Sequence, residues 1–400
     1  MIPYEEALRL ALATVRPGAA VEVPLADAVG GVLAADVRSD TDLPPFDRSA
    51  MDGYAVRAAD VAAPGARLDV VVTVAAGDRP DVAVGRGQAA RIFTGAAVPE
   101  GADTVVMQEV TERSADGATV TFKGACVRGE NVSLRGEDIR EGDVALRAGA
   151  LVRAPEVSLA AAVGRATLPV HARPRIGIVS TGDELVPPGS PPAYGRIRDA
   201  NGPALVARLR AAGFDAAHLG IVADDRDAIR EILARALEYD CAIVSAGVSV
   251  GDRDLVPEVL GDLGVEFVFT RVAMKPGKPT KLGVRGERLV LGLPGNPASA
   301  LVAIEVLFLP MLLKTAGHGD PPPRGKGVLT GPVRKKAGRR LFTPAMVESG
   351  SGGATRVVPV ECHGSADLVA VRNSNAYLTL TAEATAAEAG DEVEYHVRSD

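Results

Sequence analysis

The sequence predicts a multidomain α/β plus β protein: a doubly wound, mostly parallel α/β domain, β-rich segments before it and a small all-β domain after it. Three observations predict this. Between residues 175 and 313, short apolar runs of strand length alternate with segments of helical period, the pattern of a parallel sheet covered by helices on both faces. From about 20 to 145, short alternating runs are separated by turns at Gly30-Gly31, Pro44-Pro45, Gly77-Asp78 and Gly85–Gly87. Beyond Pro321-Pro322-Pro323, helical period is scarce and β-like runs return. A chain of 400 residues is too long for one ordinary domain and fits two to four.

Each element has its own signal. Tyr4, Ala7, Leu8, Ala11, Leu12 and Val15 recur at helical spacing, and Pro17-Gly18 ends that helix. Ala154–Val163, closed by Gly164, is a second short helix. The strand series then runs Ile176–Ser180, His218–Val222, Cys241–Ser245, Val265–Thr270 and Leu289–Leu293. Between these lie Pro203–Ala212, a helix marked by Ile229, Ile232, Leu233, Ala236 and Leu237, and Leu255–Leu263, all at helical period. Ala298–Leu313 follows the last strand as a helix. It is interrupted by Ser299, Glu305 and Pro310, and reads as too short and too broken to span a bilayer. Thr355–Val360 and Ala376–Leu380 are strands of the terminal domain.

Composition narrows the function. The apolar share of 47% supports substantial cores, and with 4% aromatics and no Trp those cores are mostly Ala, Val and Leu. The balance of 44 basic and 51 acidic residues, net −7, argues against a nucleic-acid binder and leaves room for a local cationic pocket. Cys126, Cys241 and Cys362 are far apart, with no CxxC, and read as buried free thiols of a reducing cytosol. The N-terminus lacks the basic and apolar regions of a signal peptide, so a cytoplasmic protein is expected, with no membrane partner.

Residues 271–299 carry the strongest chemical signal. Lys275, Lys278 and Lys281 lie in a segment stiffened by Pro276 and Pro279. Pro294-Gly295-Asn296-Pro297 then opens into an apolar helix. Free N–H groups at a helix start favour anions, and Pro fits the first turn. A strand–helix joint explains the Pro-Gly-Asn-Pro turn taken alone; with the lysines beside it, a phosphate or oxyanion site is the better reading. Polar loops also follow the other strands: Ser180–Leu185, Asp224-Asp225 and Ser245–Asp254. Such loops share one edge of a parallel sheet. Their acids suit Mg²⁺ and their glycines suit phosphate; any one acid alone is better read as a helix cap, and four such loops on one rim favour a phosphate- and metal-binding site. The stretch 45–56 shows neither helical nor strand period and reads as an ordered functional loop or, equally well, as a structural turn.

Eight motifs in order now carry a resemblance: PFDRSAMDGYAVR (45–57), RIFTGAAVPEGADTVVMQE (91–109), GENVSLRGEDIREGD (129–143), STGDEL (180–185), SAGVSVGDRD (245–254), MKPGKPTKLG (274–283), GLPGNPASA (292–300) and HGSADL (363–368). The chain resembles the molybdopterin molybdenumtransferases, the MoeA family that includes the E domain of gephyrin. The resemblance implies a discontinuous linker domain (1–45 and 144–172), a lasso-like β-rich domain (46–143), an α/β molybdopterin-binding domain (173–319) and a C-terminal β domain (320–400). It implies a homodimer whose composite site pairs the lasso of one subunit with the α/β domain of the other, and molybdopterin adenylyltransferase as a candidate partner. The implied reaction inserts molybdenum from molybdate into adenylated molybdopterin, with Mg²⁺, and releases AMP. Two other readings compete: an enzyme of the same α/β type that adenylates the pterin, and a non-catalytic scaffold with a degenerate site.

By motif, the resemblance implies catalytic roles for Asp52, Thr94, Asp138, Lys275 and Lys278. It implies metal ligation by Glu184, Asp225 and Asp254. Thr181, Gly182, Ser249, Gly251, Pro279, Gly295, Asn296, Ser299 and Ser365 are the implied pterin-binding residues. The chain departs from the family in two places. Ala246-Gly247 stands where the family usually has two glycines, and Phe342-Thr343-Pro344 puts proline where a Phe-x-Arg pattern has arginine. Arg339 and Arg340 are the neighbouring candidates to supply that charge.

Overall fold

The computed structural model describes residues 1–247, 255–319, 324–350 and 353–398. The chain forms two compact units. One comprises Met1–Val21, Gly30–Ala34 and Pro169–Asp400; the other comprises Glu22–Val29 and Ala35–Leu168. Ser249, Gly251 and Asp254, and the prolines at 321–323, lie outside the described residues.

The first unit contains a six-stranded sheet in the order Asp215–Val222, Arg175–Thr181, Cys241–Ser245, Arg288–Leu293, Lys281–Arg285, Glu266–Phe269. The first four strands are parallel. The last two are added antiparallel at the edge, the Lys281–Arg285 strand through a two-residue turn at Gly286-Glu287. Lys281–Arg285 was not predicted as a strand, because its lysine, glycine and arginine hide the apolar pattern. Both faces of the sheet are covered, so its strands lack polar alternation: six of the seven residues of Arg175–Thr181 are buried. Ile176 and Ile178 join one core with Leu205, Leu209, Leu291 and Phe308. Val179 joins the opposite core with Ile229, Leu233, Val244 and Val259. Each such side chain contributes about 1.5–3 kcal/mol on burial.

The helix predicted at Ala298–Leu313 is observed, but it is longer and more apolar than the reading of it as too short to span a bilayer allows. Pro297–Thr315 runs continuously, through Pro297–Ala303, a π-helical stretch Ile304–Phe308, and Leu309–Thr315. The wide π turn directly before it accommodates Pro310, which supplies no N–H to the helix ladder. Glu305 is neutralised by Arg208, 2.7 Å away. By length and composition this helix is long and apolar enough to cross a membrane, but most of it is buried within the fold. The N-terminal helix Tyr4–Thr14 packs on the same core, and the Tyr4 hydroxyl donates to the Val306 carbonyl at 2.6 Å.

Within the same unit, five strands close into a small barrel: Arg340–Ser349, Thr355–Pro359, Gly325–Leu329, Glu392–Val397 and Ala376–Leu380, the last pairing back to the first. Closure leaves no continuous open edge. One short helix, Leu368–Arg372, precedes the Ala376–Leu380 strand.

The second unit is built on a six-stranded sheet ordered Thr104–Met107, Gly53–Val56, Gln88–Ile92, Arg67–Val74, Thr119–Phe122, Thr111–Arg113. Here the reading of 45–56 as a loop is corrected. Arg48–Ser49 and Gly53–Val56 are strands, and all four residues of the latter are buried, which erases the alternation that would have marked it.

Candidate active site

The parallel strands end on one edge of their sheet. The segments after three of them form the floor of a cleft of about 940 Å³. Ser180 and Glu184 come from the first, Ser245 to Gly247 from the second, and the Pro294-Gly295-Asn296-Pro297 turn with Ser299 from the third. Asn201 ties these ends together. Its amide donates to Ser245 Oγ at 2.7 Å and to the Gly295 carbonyl at 2.8 Å. Asp199 accepts the backbone N–H groups of Asn201 and Gly202, both at 3.0 Å, and fixes the helix start. Its second oxygen lies 3.4 Å from His218 Nε2, which is 3.2 Å from Ser180 Oγ. The sequence reading missed Asp199 and Asn201. Their signal was a polar pair directly before an apolar helix.

The walls bring in distant parts of the chain. The lysine segment lies between two neighbours: Ile2 pairs with Val272 on one side, and Arg340-Leu341 pairs with Met274-Lys275 on the other. Thr280 Oγ1 donates to the Gly277 carbonyl at 2.7 Å and tightens the turn. Gly277 has φ +109, and a Cβ there would meet Met274 Cε at 2.9 Å. Lys275, Lys278 and Pro279 line the cleft, whereas Lys281 is buried in its strand. The terminal barrel supplies Arg334, Arg339, Pro344 and Ser365. Asn296 Nδ2 donates to Ser365 Oγ at 2.6 Å, and the Ser299 N–H donates to the Ser365 carbonyl at 3.2 Å. Residues 69 apart in sequence therefore meet at the helix start.

The electrostatics favour anions. Five basic side chains line the cleft (Arg198, Lys275, Lys278, Arg334, Arg339) against two acidic ones (Glu184, Asp199), in a chain of net charge −7. Lys275, Lys278 and Arg339 have no carboxylate partner among the described residues. Of the two arginines beside Pro344, Arg340 is turned away: it is buried and ion-paired with Glu5 at 2.6 Å and Glu394 at 2.8 Å.

The remaining predicted residues fall as follows. Thr181 is buried at the end of its strand, with no hydrogen-bond partner for Oγ1. Gly182 has φ +143, and a Cβ there would meet the Glu184 carboxylate at 2.5 Å. Asp225 caps the helix Arg226–Ala236, accepting from the Ala228 N–H at 2.9 Å, and does not line the cleft. Its neighbour Asp224 is pushed above the usual carboxylate range by burial and by the charges of Asp183 and Glu184. Ala246 holds φ +69, a left-handed conformation that a glycine adopts without strain. In the second unit, Asp52 Oδ1 accepts both the N–H and the hydroxyl of Thr94 at 2.7 Å, and these bonds hold its carboxyl below the usual range. Asp138 is exposed, and its N–H donates to the Leu43 carbonyl at 3.0 Å. Cys241 is buried, but Cys126 and Cys362 are only partly so, and Cys362 lines the cleft. The expectation of three buried thiols thus holds for one.

Comparison with known proteins places this geometry. The profile of the MoeA N-terminal region (domain I and II) matches residues 2–164, that of the probable molybdopterin binding domain matches 177–314, and that of the MoeA C-terminal region (domain IV) matches 326–397. The molybdopterin molybdenumtransferase of Bacillus subtilis is 33% identical, covering 98% of this chain and 93% of its own. Molybdopterin molybdenumtransferase 2 of Mycobacterium tuberculosis is 37% identical, covering 91% of this chain and 92% of its own. The crystal structure of the molybdopterin biosynthesis MoeA protein from Pyrococcus horikoshii superposes with a TM-score of 0.84 at 31% identity, covering 99% of both chains. On these matches, over nearly the whole length, the chain belongs to the molybdopterin molybdenumtransferase family and has a role in molybdenum-cofactor biosynthesis.

Proposed function

We propose that the cleft takes adenylated molybdopterin and molybdate, and that the enzyme joins molybdenum to the pterin dithiolene, hydrolyses the phosphoanhydride and releases AMP. One observation supports this above the others: Lys275 and Lys278, without carboxylate partners among the described residues, face a floor of serine hydroxyls and a helix start. Both reactants are anionic, and fixed ammonium groups offset their charge without reorganising as the reaction proceeds. Gly182, Gly295, Asn296, Ser299 and Ser365 hold the pterin substrate, with Thr181 and Pro279 shaping its place. Asp52, Thr94 and Asp138 belong to the same reaction as catalytic residues.

By donor type the rim carboxylates suit Mg²⁺. Burial and the nearby anions Asp183 and Glu184 raise Asp224, so negative charge is crowded there, and a divalent cation relieves it. Among the described residues no group of three or more His, Cys, Asp or Glu side chains is arranged as a metal cage. Mg²⁺ commonly takes one or two carboxylates and completes its sphere with water and phosphate oxygens. Glu184 and the second oxygen of Asp225 are the proposed ligands, and bound Mg²⁺ would neutralise charge on the phosphoanhydride. The enzyme acts as a cytoplasmic homodimer on the product of a molybdopterin adenylyltransferase.

The test is to incubate the purified chain with adenylated molybdopterin, Mg²⁺ and molybdate and to measure AMP, with sedimentation at the same micromolar concentration. Molybdate-dependent AMP release by a dimer is expected. Removing one partner from a desolvated ionic contact costs about 2–5 kcal/mol, so Lys275→Ala and Lys278→Ala should lose more than tenfold in turnover. Lys326→Ala, which removes an exposed pair with Glu392, should match wild type. Equal behaviour of all three variants overturns the anion-site reading. Pterin adenylation from ATP in place of AMP release makes the protein an adenylyltransferase.

A further inference from the structure

The strand pairing beside the lysine segment assigns roles to two consecutive arginines. Met274 pairs with Arg340 and Lys275 with Leu341, in parallel. Side chains of paired residues share a face of the sheet, and alternate residues return to it. Met274 and Arg340 therefore share one face of this pairing, and both are buried. At the next pair Leu341 is buried in the core of the barrel, while Lys275 is exposed and lines the cleft. Arg339 lies at a bend directly before the strand Arg340–Ser349 and also lines the cleft. The Arg340 N–H donates to the Ala273 carbonyl at 2.8 Å, so the backbone at Arg339 runs beside the start of the lysine segment, and the two long side chains border one cavity.

The surrounding basic run, Arg334 to Arg340, is otherwise committed. Arg334 pairs with Glu388 at 2.9 Å. Arg340 pairs with Glu5 and Glu394. Lys335 Nζ donates to the carbonyls of Arg339 and Ala382 at 3.0 and 3.1 Å, and the exposed Lys336 does not line the cleft. Burial lowers the Lys335 ammonium, and the charge on Lys275 lowers it further against Glu383. Arg339 and Lys275 thus remain the cleft-lining cations of this wall without a carboxylate partner among the described residues.

We propose that Arg339 is an anion-binding residue of the cleft, taking two oxygens of a tetrahedral oxyanion, either molybdate or a phosphate group of the pterin nucleotide, together with Lys275. A guanidinium presents two parallel N–H donors to such oxygens. The inference deepens the reading of the cleft above and rests on it. It also explains how the chain keeps a guanidinium at this wall with proline at position 344.

The experiment measures binding of sodium molybdate, inorganic phosphate and AMP to the full chain by calorimetry, alongside AMP release. Arg339→Ala should weaken at least one of the three by tenfold or more with an unchanged melting curve. Arg339→Lys should recover only part, because a point charge does not replace a planar fork. Lys336→Ala should stay within twofold of wild type. A loss confined to molybdate identifies the metal oxyanion as the ligand, and a loss confined to phosphate and AMP identifies the phosphate. If Arg339→Ala melts early, Arg339→Gln decides by the same criterion. Changes below twofold for all three anions, an equal loss in Lys336→Ala, or no uptake of any of them by wild type overturns the inference. Such a result with intact AMP release removes Arg339 alone. An Arg339-dependent anion site without AMP release removes the proposed reaction and leaves Arg339 standing.

Discussion

Two consecutive arginines on one wall of the cleft, Arg339 and Arg340, are treated in opposite ways. Arg340 is surrounded by partners. Beyond Glu5 and Glu394, its Nε donates to Thr379 Oγ1 at 2.9 Å, and its guanidinium lies 5.7 Å from the Tyr4 ring centre. Tyr4 stacks edge-on against Phe342 at 4.9 Å, and Phe342 against His396 at 5.6 Å. This cluster joins the N-terminal helix to the terminal barrel, and every charge in it is used by the fold. Beside it, Arg339 and Lys275 have no such partners among the described residues and line a cleft. The difference teaches a criterion. A cation whose hydrogen bonds are filled by the protein contributes to stability, and one held without a counter-charge beside a cleft is available to a ligand.

The largest effect that could break this comparison is at Arg340. Removing one partner from a buried pair costs about 3–5 kcal/mol, and the lower end applies here because Glu5 and Glu394 are partly exposed and can rehydrate. Arg340→Ala should therefore destabilise the unit by about 3 kcal/mol in chemical denaturation. Arg340→Met, which keeps the apolar bulk, should cost less. A melting curve unchanged by Arg340→Ala would erase the distinction between the two arginines.

A slightly smaller effect is expected from pH. Burial, followed by the charges of Arg324 and Arg340, lowers His396 from its ordinary 6.5 to about 4, with Glu394 opposing. The unfolded chain therefore binds a proton on this ring at a higher pH than the folded chain does. The stability contributed by neutral His396 is complete above about 6.5 and is lost as pH falls toward 4. One pKa unit corresponds to about 1.4 kcal/mol, and partial exposure of the ring reduces the total to about 2–3 kcal/mol. In His396→Gln this component should vanish. The stability difference between wild type and variant, followed from pH 7 to pH 4, should shift against wild type. Parallel curves would show that the fold does not hold His396 neutral.

Much of this was legible in the sequence where one physical signal dominates. The parallel strands and the amphipathic helix Arg226–Ala236 announced themselves by apolar runs and period. The lysine segment and the Pro-Gly-Asn-Pro turn announced the anion wall. Elements whose signal depends on a distant partner were not legible. Gly53–Val56 is buried on both sides and shows no alternation. Lys281–Arg285 becomes a strand because Arg288–Leu293 pairs with it. The fates of Arg339 and Arg340 depend on one register, Met274 to Arg340, which no local pattern encodes. Asn201 reaches Ser245 and Gly295 across 44 and 94 residues, so its role in the floor appears only when the strand ends are brought together.

The smallest effect sharpens the comparison at the rim, where Asp225 stands between the two categories. One carboxylate oxygen caps the helix Arg226–Ala236 through the Ala228 N–H, so that part of the group is used by the fold. Loss of an N-cap typically costs about 1 kcal/mol, whereas Asn caps nearly as well as Asp. Asp225→Ala should lower stability by about that amount, and Asp225→Asn should leave it nearly unchanged. The two variants separate structure from chemistry, because Asn keeps the capping oxygen and removes the charge. If the second oxygen serves Mg²⁺, Asp225→Asn should raise the Mg²⁺ concentration needed for half-maximal AMP release several-fold while its melting curve overlays wild type. If Asp225 is only a cap, Asp225→Asn should match wild type in both measurements, and Asp225→Ala should lose stability alone. The second pattern would place Asp225 with Arg340 as a group used entirely by the fold, and would leave Glu184 as the proposed metal ligand among the described residues.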